Sequence, residues 1–287
     1  MSGAGKLLAP IALAFAGVGV AVAFAGTGPM FATWRTAAAD SFYGTQTLPP
    51  ELAELVGLTL GILGGSIAGK WVAAWAIARR YVQTGAPWMW RALVAGLLAW
   101  FAVDSGFSLG LDASFNVAMI NVLPLVVFGI PLWLARPGRE DDGRKDEPSP
   151  AMPLPWKVLF ATCVVFVIVG ALLLGTPVSP LFAPYLETLA ETYFEGGITH
   201  EAYLWIRFSY GLIGVTFGAH FLMLAWAVLR APGQRWVLDA VALSMLAWFV
   251  VDSTACLRHG GLFNVLMINV PSMLAVTLPW AWSRRRA

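Results

Sequence analysis

The strongest constraint on this chain is a stretch that it contains twice. Residues 98–122 read LAWFAVDSGFSLGLDASFNVAMINV and residues 246–270 read LAWFVVDSTACLRHGGLFNVLMINV, identical at 15 of 25 positions with a constant offset of 148. Both copies set an Asp-Ser pair inside an apolar run and follow it with Phe-Asn and Met-Ile-Asn at matched distances. An ionisable residue in a membrane-length segment is costly, so an acid kept in both copies marks either a site or a structural join.

The surrounding sequence is that of a multispanning membrane protein. With 59% hydrophobic and 12% charged residues, the chain lies outside the range of ordinary soluble domains. Eight apolar stretches reach or exceed the roughly 20 residues needed to cross a bilayer. They are Leu7 to Gly26, Leu52 to Arg79, Trp90 to Gly110, Phe115 to Ala135, Trp156 to Gly175, Tyr203 to Arg230, Val237 to Leu257 and Phe263 to Ser283. The first also carries Ala23-Phe24-Ala25, which resembles a signal-peptide cleavage site. Trp156 to Gly175 takes the equivalent place in the second half, where no signal can stand, so the first stretch is read as a retained helix.

The repeat extends beyond the opening motif. Phe31, Trp34, Ala38 and Phe42 match Phe182, Tyr185, Leu189 and Tyr193 at an offset of 151, each set at helical spacing in a connection too polar to span. These segments predict short amphipathic helices at the interface or tucked over the bundle. Their matched acids, Asp40 and Glu191, read as a solvated face. Gly57, Gly61, Gly65 and Gly69 recur every four residues on the second span and predict close helix packing, with Gly214 and Gly218 a shorter version on the sixth. Lys70, matched to His220, is expected to reach the cytoplasmic interface by snorkelling. Pro131 and Pro279 predict matched kinks in the fourth and eighth spans.

Lys6, Arg79, Arg80, Arg91, Arg136, Arg139, Arg144, Lys145, Arg230, Arg235 and residues 284–286 fall on one side, and acids dominate the other, with Arg35 and Arg258 as exceptions. The positive-inside rule then places both termini in the cytoplasm. The expected fold is an all-α integral membrane protein of eight transmembrane helices. It is a tandem 4+4 same-orientation repeat with a pseudo-twofold axis along the membrane normal. Residues 1–136 form the first four-helix repeat, 137–153 a charged Pro/Gly-rich cytoplasmic linker and 154–287 the second repeat. The expected location is the cell membrane, the inner membrane in a bacterium.

The candidate ligand-binding residues are Asp104, Ser105, Asn116, Asn121 and Trp100, with Asp252, Ser253, Asn264, Asn269 and Trp248 as their matches. In this topology they lie in the outer half of the membrane. Carboxylate, amide and hydroxyl oxygens can replace a solute's hydration, and indole faces attract cations. Brought together by the pseudo-twofold, the two acids would share a proton or a cation. The competing reading makes each Asp a clasp that hydrogen-bonds neighbouring helices, with Asn116 and Asn264 capping their helix starts.

Other chemistry is not signalled. The net charge of +2 and the lack of a basic, aromatic-interleaved stripe argue against nucleic acid. Cys163 and Cys256 form no C-x-x-C unit, and His200, His220 and His259 show no paired-ligand spacing. No phosphate-binding glycine loop and no G-x-S-x-G element occurs, so no cofactor is named and an enzyme is disfavoured. Three function classes follow in order. The first is a transporter or channel for a small cation or polar solute. The second is a scaffold, assembly or regulatory subunit with a membrane-protein partner, and the third is a lipid-active enzyme. The lipid bilayer is a partner in all three.

Overall fold

The computed structural model of the chain describes residues 3–138, 152–176, 179–195 and 197–285. These are all-helical, with 85% of residues in helix and no strand among those described. Ten helical elements follow in order. They are α1 Gly3–Ala25, α2 Ala32–Tyr43, α3 Ala53–Thr84, α4 Pro87–Leu109, α5 Ser114–Leu134, α6 Leu154–Leu173, α7 Ala183–Tyr193, α8 His200–Arg230, α9 Arg235–Arg258 and α10 Leu262–Arg284. All except α2 and α7 are long and apolar enough to cross a membrane, which makes this a membrane-embedded protein. The expected linker is described only at its ends, and residues 139–151 and Arg286 lie outside the described residues.

The two longest helices, α3 with 32 residues and α8 with 31, form the centre. They pack on one another, and every other spanning helix except α5 and α10 packs on at least one of them. Helix α1 lies along α3 and α6 along α8. Two further pairings on the central helices cross between the halves: α9 lies along α3, and α4 lies along α8. Helix α3 continues past the expected Arg79 to Thr84, where Gly85, with φ of 67°, turns the chain and donates its N–H to the Tyr81 carbonyl at 2.8 Å.

The reason α9 crosses to α3 is written in the four-residue glycine period. A side chain added at Gly57 would strike the His259 ring, and one at Gly61 would lie 2.6 Å from the Ala255 Cβ. At Gly65 it would lie 2.7 Å from the Asp252 Cβ and at Gly69 2.8 Å from the Trp248 Cβ. Gly61, Gly65 and Gly69 therefore each seat one α9 residue in turn, with Gly57 against His259 just past its end, and the helix axes approach as only small residues allow. The expected packing face is present, and its occupant is the Asp252 helix. On α8, Gly211 receives the Phe107 ring of α4, and Gly214 backs onto Gly170 of α6.

Helices α2 and α7 tuck over the bundle. Trp34, Ala38, Tyr185 and Leu189 are buried, whereas Asp40 and Glu191 are exposed. Arg35, one of the two charge-side exceptions, donates from Nη1 to the carbonyls of Gly26 and Gly28, the latter at 2.8 Å. It thus neutralises the negative end of α1, and its partial burial lowers its pKa.

Two expectations change. Helix α5 is interrupted at Phe128, three residues before Pro131, where proline removes a backbone donor; α10 runs on through Pro279 without a break. Lys70 does not snorkel. It is 2% exposed, with α1, α4, α8 and α9 packed around α3. Its Nζ rests instead 3.7 Å from the Trp100 ring centroid and 5.1 Å from that of Trp71.

Candidate functional site

A helix of 3.6 residues per turn places positions five apart about 140° from each other, so Asn116 and Asn121 do not share a face of a regular helix. Here the backbone between them widens. Val117–Asn121 forms a π-helical turn, and Val265–Asn269 forms another between Asn264 and Asn269. The wider turn swings both amides of each pair to one side, toward the preceding helix.

There they meet the carboxylate. Asp104 Oδ1 accepts from Asn121 Nδ2 at 2.6 Å, Asn116 Nδ2 at 2.9 Å and Ser108 Oγ at 3.2 Å. Asn121 also donates to Ser105 Oγ at 3.2 Å, and Asn116 to Ser108 Oγ at 3.0 Å. Asp252 Oδ1 accepts from Asn269 Nδ2 at 2.7 Å, Cys256 Sγ at 3.1 Å and Asn264 Nδ2 at 3.3 Å. Asn269 reaches Ser253 Oγ at 3.0 Å, and Asn264 reaches Cys256 Sγ at 3.2 Å. Asp104 is 3% exposed and Asp252 1% exposed, so these donors replace water around a buried acid. The result ties α4 to α5 and α9 to α10. At the far end of each pair an indole adds a stitch: Trp90 Nε1 donates to the Leu132 carbonyl at 2.8 Å, and Trp280 Nε1 to that of Leu238 at 2.9 Å.

Beside each network lies a cavity, about 110 Å³ next to Asp104 and about 90 Å³ next to Asp252. The first is bounded by α1 to α5 and α8, the second by α3 and α6 to α10. Trp100 and Trp248 line them one helical turn before each acid. Of the ten residues singled out by sequence, Trp100, Asp104 and Asn116 line the first cavity and Trp248, Asp252 and Asn264 the second, while Ser105, Asn121, Ser253 and Asn269 join the networks without lining either. The two sets are not brought together: the acids line separate cavities, and the expected sharing of one proton or cation between them is not what the packing provides.

Several members were not singled out from sequence. Ser108 and Cys256 sit one turn after each Asp at the same offset of 148, but they differ in type and fell outside the identical positions. Trp34 Nε1 donates to Asn116 Oδ1 at 3.3 Å, and the Tyr185 hydroxyl donates to Asn264 Oδ1 at 2.9 Å, so the tucked helices α2 and α7 cap the two networks. The offset of 151 had flagged Trp34 and Tyr185 as equivalent without showing what they touch. Tyr193 steadies α7 by donating to the His259 carbonyl at 2.7 Å; burial foremost, then Cys256 and Glu54, push its pKa up to about 12, so it remains a donor at neutral pH. Tyr43 does the same for α2, donating to the Glu201 carbonyl at 2.9 Å, its pKa likewise raised mainly by burial.

The cavities are similar in plan and different in content. Lys70 lines the first. His220, its match, does not line the second; it is fully buried with neither ring nitrogen hydrogen-bonded among the described residues. The second cavity instead holds the Tyr185–Tyr210 hydroxyl pair at 2.6 Å. No group of three or more His, Cys, Asp or Glu suited to a metal occurs among the described residues. No protein-family model, curated protein or solved structure matches the chain.

Proposed function

We propose that this is a non-catalytic membrane protein that binds and carries a small lipophilic solute with one polar end. The observation that carries the reading is the make-up of the first cavity. Its polar groups, Lys70, Asp104, Asn116 and Thr216, gather among walls that are otherwise mainly aliphatic and aromatic. Val18 of α1 and Met119 and Leu123 of α5 form a wall whose residues are also exposed on the outside of the bundle. In a bilayer that gap faces hydrocarbon, so a solute enters sideways from the lipid. Such walls favour an amphipathic solute over the hydrated cation or fully polar solute that the acids alone suggest, because apolar surface cannot replace lost hydration.

The halves 1–136 and 154–287 are read as same-orientation repeats about a pseudo-twofold axis along the membrane normal, with cytoplasmic termini in a cell membrane. Support comes from the sequence offsets, the matched α1–α3 and α6–α8 pairings, and the matched α4–α8 and α9–α3 crossings. The side distribution of Lys and Arg supports the orientation.

A second reading, a structural component that assembles with a membrane-protein partner, draws on the saturation of Asp104 Oδ1 by three donors. The two readings separate on one experiment. Purified wild type and Val18→Trp, which blocks the gap from an already exposed position, are extracted with organic solvent and compared by mass spectrometry. A lipophile present at near-stoichiometric level only in the wild type is expected; indistinguishable extracts would leave the structural reading in its place.

A further inference from the structure

Resting on that cavity reading, we propose that Lys70 is the headgroup-binding residue of the first cavity, donating to a carboxylate or carbonyl oxygen of a lipophile whose chain leaves between α1 and α5.

Lys70 has no hydrogen bond or ion pair among the described residues, although it is 2% exposed and lies on the cavity wall. The Trp100 and Trp71 rings hold its ammonium by cation–π attraction, which engages the charge and leaves the three N–H donors unfilled. Asp104 is within electrostatic reach but makes no ion pair with it, and Asp104 Oδ1 is already occupied by Asn116, Asn121 and Ser108. A buried ammonium without an acceptor is among the costliest arrangements in a protein interior, and an oxygen delivered by a ligand removes that cost. The second cavity makes the contrast. It repeats the acid, the amide and the indole, but it lacks a lysine, and the Tyr210 hydroxyl donates to Tyr185, which donates to Asn264. The two cavities therefore differ in what they select: the first offers an acceptor oxygen an ammonium, the second only neutral hydroxyls, those of Ser66 and Thr176 without a partner among the described residues.

The test uses the full chain in lipid nanodiscs and reads tryptophan quenching by three brominated probes. They are 8-bromooctanoate (carboxylate), its methyl ester (neutral carbonyl) and 1-bromooctane (no oxygen). Saturable quenching by at least one oxygen-bearing probe is expected in the wild type, and the tighter of the two identifies the headgroup as anionic or neutral. Lys70→Met, of similar length and without the buried charge, should weaken that probe at least tenfold and leave 1-bromooctane unchanged. Lys70→Gln, which keeps an amide donor, should recover part of the loss and serves as the readout if the Met variant does not fold. Equal affinity of wild type, Met and Gln variants for the oxygen-bearing probes overturns the role of Lys70 while the cavity reading stands. If no probe quenches wild type more than Val18→Phe, which fills the same gap without adding an indole, the cavity reading itself falls, and the inference with it.

Discussion

At the level of single residues, the amides carry more than the acid they surround. Removing Asn121 or Asn269 takes away the shortest bond to each carboxylate and leaves a buried acceptor short of a donor, which costs about 1–3 kcal/mol. Asn121→Ala and Asn269→Ala should each lower unfolding free energy in detergent by that amount, and Ser105→Ala by less, because its hydroxyl meets Asn121 and not the acid. An equal effect of all three would show that the network acts through packing alone. The Asp and Asn positions were legible from sequence because identity at a constant offset isolates them. Ser108, Cys256, Trp34 and Tyr185 were not, because each pair differs in residue type, and the caps reach across 82 and 79 residues of chain. Lys70 misled for a physical reason: its ammonium rests on the Trp100 and Trp71 rings inside the bundle instead of reaching along the helix to the interface.

Among elements, the π-helical turns and the glycine groove set the geometry. The turn is foreshadowed only by amides spaced five apart, a spacing that a regular helix splits between two faces. The groove was legible as a packing surface from its four-residue period, but nothing in that period says whether a neighbour in sequence or a distant helix fills it. The contact at Gly65 now makes a sharp contrast available. Gly65→Leu drives a side chain into the backbone of Asp252 and should separate α9 from α3, abolishing the folded species in size-exclusion chromatography. Gly106→Ala on α4 meets nothing within 4 Å at an exposed position, and should be neutral or slightly stabilising, since alanine favours a helix by roughly 1 kcal/mol over glycine. Loss of both variants alike would mean that glycine content, not the Gly65 contact, is what the bundle requires.

For the whole molecule, the crossed pairing means that neither half is complete. Helix α4 has its main contact on α8, and α9 has its main contact on α3. Residues 1–136 and 154–287 expressed as two chains should accumulate together and be degraded when made alone, with immunoblot of membranes as the measurement. Stable accumulation of either half by itself would show that the crossing contacts are dispensable. Sequence laid out the eight spans because hydropathy is a local property. The crossing was hidden because the two halves have similar composition and the four-residue glycine period does not say which helix fills it.

That crossing also sets a timetable for biogenesis. Gly65 enters the membrane 187 residues before its occupant Asp252 (252 minus 65), a delay of roughly 10–40 s at ordinary translation rates. Throughout that interval α3 presents an empty groove of bare backbone to the lipid and to α4, a helix already inserted with an apolar run and an acid of its own. The nascent chain must therefore refuse the nearer partner and wait for the later one. The side chains that differ between the two copies, Phe107 against Ala255 above all, are the means of refusal: the phenylalanine that fills the gap at Gly211 is too large for the seat at Gly61.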